Sequence, residues 1–152
     1  MIECKSGVMS LHPSPDGDSF GSCMALKYVL EREGINVRVI SPSELPKSLE
    51  KLKIASEIEV GTDIADVIDE DYGVFVFLDY ASYKSFSVKK MGSFSVSDNV
   101  FSINIDHHKT NEYQGNMNYV DYTQPSLCSV LVDFFREMNV EFDAELSTRL
   151  LI

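Results

Sequence analysis

Hydrophobic positions along the chain form two patterns, short unbroken runs and helically spaced stripes. Residues 8–11 form a short continuous apolar run, as in a strand buried on both faces of a parallel sheet. Residues 19–33 carry Phe20, Cys23, Met24, Leu26, Tyr28, Val29 and Leu30 at close to helical spacing, and Gly34 is a natural C-cap. Residues 35–40 alternate as a strand until the Pro-containing stretch 41–46 breaks the pattern. A short helix is expected over 47–52, whereas 54–60 fits helix or strand. Residues 63–69 read as a helix with Thr62 as its cap. The most strongly apolar run, 73–78, stops at Asp79. A helix is expected over 82–91 and a strand over 100–105 that ends at Asp106. A polar loop over 113–119 follows, with a short strand over 117–120. Pro125 introduces an amphipathic helix over 126–138, and Asp143 caps another over 142–152. Strands alternating with helices predict an α/β domain with a mostly parallel sheet flanked by helices.

Composition narrows the class. A chain of 152 residues is expected to form one domain with a sizeable core. No stretch reaches the roughly 18 uncharged apolar residues of a membrane span. The first residues lack the apolar segment of a signal peptide, and Cys4, Cys23 and Cys128 are far apart without CxxC spacing. Reduced thiols in a cytoplasmic protein are the expectation. The formal net charge of −11 argues against a general basic surface for nucleic acid. A phosphate-bearing ligand would need local positive charge, which bound metal ions supply.

Candidate chemistry gathers at three strand ends. Residue 11 runs into His12, followed by Pro-Ser-Pro-Asp16-Gly-Asp18-Ser-Phe-Gly21-Ser22; residue 78 runs into Asp79; residue 105 runs into Asp106-His107-His108. In parallel α/β sheets, sites form in the crevice beyond the carboxyl ends of the strands. All three histidines of the chain lie in these stretches. The helix opening near Gly21-Ser22 offers free N–H groups to an anion. Taken singly, each stretch has another reading: a Pro/Gly turn, a carboxylate helix cap, a hydrogen-bonded histidine. Jointly they suit metal-assisted hydrolysis, in which two divalent cations about 3.5–4 Å apart share a carboxylate and activate water. Asp79, alone on its strand end, is placed to bridge. An oxygen and imidazole donor set without cysteine suits manganese, with zinc or iron as alternatives.

At these residues the chain resembles the DHH family of phosphoesterases. That family includes RecJ-type nucleases, nanoRNA/pAp phosphatases, cyclic-dinucleotide phosphodiesterases and family II inorganic pyrophosphatases. HPSPDGDSFGS resembles its first motif, FVFLDYAS its second, and IDHHKTNEYQGNMNYVD its third with the trailing Asn/Gly-rich loop. The resemblance implies the family's N-terminal domain, a Rossmann-like parallel sheet flanked by helices. It implies that His12, Asp16 and Asp79 hold one manganese, and that Asp18, Asp79 and His107 hold a second. His108 would face the substrate phosphate, so His108 and Asp79 are the expected catalytic pair. Asp106 would steady the histidines from behind and Asn111 would brace the loop; Ser22, at the helix opening, is expected either behind the ligands or beside the substrate. The implied function is manganese-dependent hydrolysis of phosphate esters in small nucleotides or short oligonucleotides. A metal- or nucleotide-binding module without turnover is the alternative, and an inorganic pyrophosphatase or polyphosphatase a weaker one.

Two departures from the family pattern stand out. Ser126-Leu127-Cys128-Ser129 replaces a Ser-Thr-x-Glu helix opening. The chain also stops at Ile152, before the further Asp and the separate substrate-binding domain of the family. A truncated catalytic domain is therefore expected over 1–152, with a weak second metal site and little turnover alone; homo-oligomerisation is left open.

Overall fold

A computed structural model describes residues 6–70, 72–90, 96 and 101–152 of the chain. Strand β1 (Ser6–Ser10) leads through the Pro-bent loop to α1 (Gly17–Arg32), and β2 (Asn36–Ser41) follows. Next come α2 (Lys47–Glu50), a 3-10 turn (Lys53–Glu57) and β3 (Ile58–Val60), so the ambiguous stretch 54–60 divides between turn and strand. The chain then forms α3 (Ile64–Val67), β4 (Val74–Leu78), β5 (Ser102–Asp106) and β6 (Met117–Val120). It closes with α4 (Leu127–Glu137) and α5 (Ala144–Leu150). Residue 100 of the expected strand 100–105 lies outside the described residues, as does Cys4.

Among the described residues, six strands form one sheet in the order β3-β2-β1-β4-β5-β6, and every pairing between them is parallel. The chain starts in the middle, steps outward to β3, then returns to build the other half from β4. The order reverses between β1 and β4, and such a switch point opens a crevice at the carboxyl ends of those strands.

Alternation across the pleat separates two cores. Met9, Leu11, Val76, Leu78 and Ile105 pack with α1, α4 and α5 on one face. Val8, Ile40, Phe75 and Phe77 pack with Ile64, Tyr80, Tyr83 and Phe86 on the other. Helix α1 is buried without interruption from Ser19 to Lys27, because it lies between the sheet and the α4/α5 pair. Gly21 permits the α5 approach: a Cβ there would stand 2.8 Å from the Arg149 carbonyl oxygen. Helix α4 shows the expected stripe, with Leu127, Val130, Leu131 and Phe135 buried. Asp143 caps α5 through the Leu146 N–H, as read from the sequence.

Two local expectations change. The cap of α3 is Asp63, not Thr62, in a reciprocal capping box with Asp66. Of residues 82–91, the described part holds only a 3-10 turn (Tyr83–Ser85) rather than a helix. Asp63 is the cause: its carboxylate, 1% exposed, accepts from Ala65 N (2.8 Å), Ser87 Oγ (2.6 Å), Val88 N (2.8 Å) and Lys89 N (3.2 Å). Those donors are aimed at one side chain and cannot run along a helix axis.

Asp63→Ala is therefore expected to cost about 3 kcal/mol, the order expected when a cap and several buried donors lose their acceptor. Asp63→Asn, which keeps one acceptor oxygen, should cost less. Urea unfolding of both variants is the check; equal losses would refute this account of the loop.

Candidate metal centre

Register sets the frame of the site. Ser10 pairs with Phe77 and Leu78 with Ile105, so His12, Asp79 and Asp106 leave three adjacent strand ends side by side. Asp79 N donates to the Ile105 carbonyl (3.2 Å), carrying the ladder one residue past β4.

Asp79 stands at the centre. Its φ is +65°, a left-handed conformation that costs a non-glycine residue about 1–3 kcal/mol unless its surroundings demand it. The residue is 9% exposed, yet its buried Oδ1 has no hydrogen-bond partner among the described residues. It caps no helix, since the next turn is capped by Ser82. Burial pushes the Asp79 carboxyl up, as do the charges of Asp18 and Asp16, against the pull of His108 and His107.

The histidines close on that carboxylate. His107 Nε2 lies 3.4 Å from Asp79 Oδ1 and 3.7 Å from Asp18 Oδ2, while its Nδ1 faces the Gln124 carbonyl at 3.4 Å. An imidazole with one nitrogen on a main-chain carbonyl and the other toward carboxylates has the posture of a metal ligand. His108 Nδ1 lies 2.7 Å from Asp106 Oδ1 and 3.7 Å from Asp79 Oδ1. Burial works against the charged His108, but its hydrogen bond to Asp106 and the charges of Asp106, Asp79 and Asp18 outweigh this and raise its pKa. One ligand atom from each of Asp79, His107 and His108 falls within a 4.8 Å group.

The remaining sequence-derived residues divide. Asp16 caps α1 through Oδ1, which accepts from Ser19 N at 2.9 Å. Asp18 reaches across to α4: Oδ2 accepts from Leu127 N (2.7 Å) and Oδ1 from Cys128 N (2.9 Å). His12 turns Nδ1 toward the Ser14 main chain, with Ser14 N at 3.1 Å. Asp106 is wholly buried; Oδ1 accepts from His107 N (2.7 Å) and Oδ2 from Asn111 Nδ2 (2.5 Å). Ser22 lies behind the mouth. It is wholly buried a turn inside α1 and gives its hydroxyl to the Ser19 carbonyl at 3.2 Å, so it is not presented to a ligand.

Sequence reasoning missed the Gln124 carbonyl and the anchoring of Asp18 on α4. Neither has a side-chain signature, because both use main-chain atoms.

The donor set fits a divalent cation. Asp16, Asp18 and Asp79 crowd one mouth, no Lys or Arg pairs with them among the described residues, and a buried carboxylate oxygen lacks a partner. Burial, then the charge of Asp18, pushes the Cys128 thiol up, and its Sγ is turned to the Asp18 carbonyl at 3.8 Å, so the donors at this mouth are oxygen and imidazole.

A doubly wound parallel sheet with carboxylates and imidazoles gathered at its switch point defines an α/β domain with a candidate metal centre. This chain belongs to the DHH family: residues 8–152 match its N-terminal domain, and the family is one of metal-dependent phosphoesterases. An exopolyphosphatase-related protein from Bacteroides fragilis has the same fold, with a TM-score of 0.82 and 21% identity over 98% of this chain. CDC45 from Entamoeba histolytica is more distant, with a TM-score of 0.58 and 16% identity over 96% of this chain. The chain spans 45% and 28% of those two proteins, respectively. No curated protein matches it. No helix among the described residues is long and apolar enough to cross a membrane.

Proposed function

We propose that the chain is the metal-holding domain of a manganese-dependent phosphoesterase of the RecJ-like or nanoRNase/pAp-phosphatase branch. Its substrates would be phosphate esters of small nucleotides or short oligonucleotides. The observation that carries the reading is the buried, unpartnered Asp79 Oδ1 facing His107 Nε2 at 3.4 Å. His12, Asp16 and Asp79 would hold one cation, and Asp18, Asp79 and His107 the second. The second is held less tightly, because both Asp18 oxygens already accept main-chain N–H groups. Divalent cations here supply an activated water and polarise phosphoryl oxygens. His108, exposed beside Asp79, would face the phosphate and donate a proton there. Asp106 holds the ring that does so.

The name of the Bacteroides fragilis neighbour favours a second reading, hydrolysis of inorganic polyphosphate by the same residues. Substrate positioning by further protein would raise turnover, since binding energy remote from the reacting bond supports orientation. The test is phosphate or nucleotide release from a short dinucleotide, pAp, pyrophosphate and polyphosphate, with manganese and with chelator. The assay is run on this chain and on a version extended past Ile152. Manganese-dependent release from pAp or the dinucleotide, lost in Asp79→Asn, is expected, slow in the shorter protein. Release from polyphosphate alone would select the second reading. Manganese binding without turnover of any of the four by either protein would leave a binding module.

A further inference from the structure

We propose that Tyr80 is a positioning residue of the metal centre, acting with Asn111 as a buried brace that sets the spacing of its three strand ends. The inference rests on the metal centre of the preceding reading and concerns how this chain holds its ligands in register.

Tyr80 follows the strained Asp79 directly and is 1% exposed. Its hydroxyl crosses to β1 and donates to the Leu11 carbonyl at 2.7 Å, one residue before His12. Its ring faces the His12 imidazole, with centroids 5.2 Å apart, and Phe86 backs it at 4.0 Å. One side chain thus ties the end of β4 to the end of β1 and limits where the His12 ring can lie.

Asn111 makes the matching tie to β5. Its Nδ2 donates to the Tyr80 carbonyl (3.0 Å) and to Asp106 Oδ2 (2.5 Å). Its Oδ1 accepts from Asn104 Nδ2 (3.1 Å) and Tyr113 N (2.7 Å). Its own N–H donates to the His108 carbonyl at 3.1 Å. A side-chain amide has two donor hydrogens and two acceptor lone pairs, and all four are used here. Through Asp106, the same bonds act on His107 N and His108 Nδ1.

The two residues meet at the Tyr80 carbonyl, so His12, Asp79 and Asp106 are linked in one buried chain of contacts. A left-handed Asp79 with an unpartnered oxygen would relax if its neighbours moved. The brace keeps it aimed. Partners that orient ligands typically contribute 10–100-fold to metal affinity.

The test is calorimetric titration of manganese into the unmodified chain, Tyr80→Phe, Asn111→Ala and the double variant, well below the melting midpoint measured in chelator. Tyr80→Phe keeps the ring and removes only the hydroxyl, with its bond to the Leu11 carbonyl and its contact with Ser10. We expect each single change to weaken binding about tenfold or more. The double change should lose less than the product of the two, because both act through one arrangement. A purely structural role would lower the midpoint in chelator but leave the affinity of the folded protein unchanged. Unchanged affinity in Tyr80→Phe overturns the proposal even if Asn111→Ala fails to fold; fully multiplicative losses overturn the shared brace. No manganese binding by the unmodified chain would sink both this brace and the metal centre. Binding without hydrolysis would remove only the proposed activity.

Discussion

Manganese is expected to raise the thermal midpoint of the chelator-treated protein, and Asp79→Asn to abolish that rise while making the metal-free protein more stable. In the metal-free state, Asp79 brings a buried oxygen without a partner and a charge repelled by Asp18 and Asp16. An asparagine there removes the charge and tolerates the left-handed backbone. A cation satisfies the oxygen and neutralises the cluster. At 100 times its dissociation constant, one site contributes about 2.7 kcal/mol. For a protein of this size that is a shift of roughly 5–10 °C.

The pH dependence has a definite sign. The Asp79 carboxyl is raised above its ordinary 3.8 by burial first and by Asp18 next. The folded state therefore holds this proton more readily than the unfolded one. Its contribution falls as pH rises from about 3.8 through the raised value, and is level above. In chelator, the advantage of Asp79→Asn should be full at neutral pH and shrink on acidification. Scanning calorimetry across pH, with and without manganese, reads all of this. Equal midpoints with and without the metal, or a shift that persists in the variant, would sink the role of Asp79.

The second large effect separates two adjacent histidines. His107→Ala should weaken manganese binding at least tenfold, because Nε2 points between Asp79 and Asp18 while Nδ1 is anchored on Gln124. His108→Ala should leave affinity within a few-fold but lower kcat by roughly 10²–10⁴, the usual contribution of a positioned general acid. His108 Nδ1 is committed to Asp106, whose hydrogen bond and charge raise the His108 pKa against the opposing effect of burial. Metal titration and steady-state kinetics on both variants are the check. Equal losses of affinity would mean that His108 is itself a ligand, consistent with the close approach of all three donors.

Much of this architecture is legible in local sequence. Buried parallel strands announce themselves as unbroken apolar runs: all five residues of β4 are buried. Asp143 lies next to the helix it caps, so its signal is local too. The alignment of His12, Asp79 and Asp106 also follows, because parallel strands deliver their carboxyl ends to one edge.

Tertiary structure decided the rest, since it depends on partners far away in the chain. Asp18 is held by α4 residues 109 and 110 positions on. Residues 82–91 gave up a helix in their described part because Asp63 outbids the helical ladder for their N–H groups. Ser22 is kept from direct contact with a ligand because α1 is buried without a break from Ser19 to Lys27. The strained backbone and unpartnered oxygen of Asp79 arise only once three strand ends are packed side by side. Sequence periodicity reports what each segment buries, whereas the state of a buried charge depends on which distant groups share its cavity.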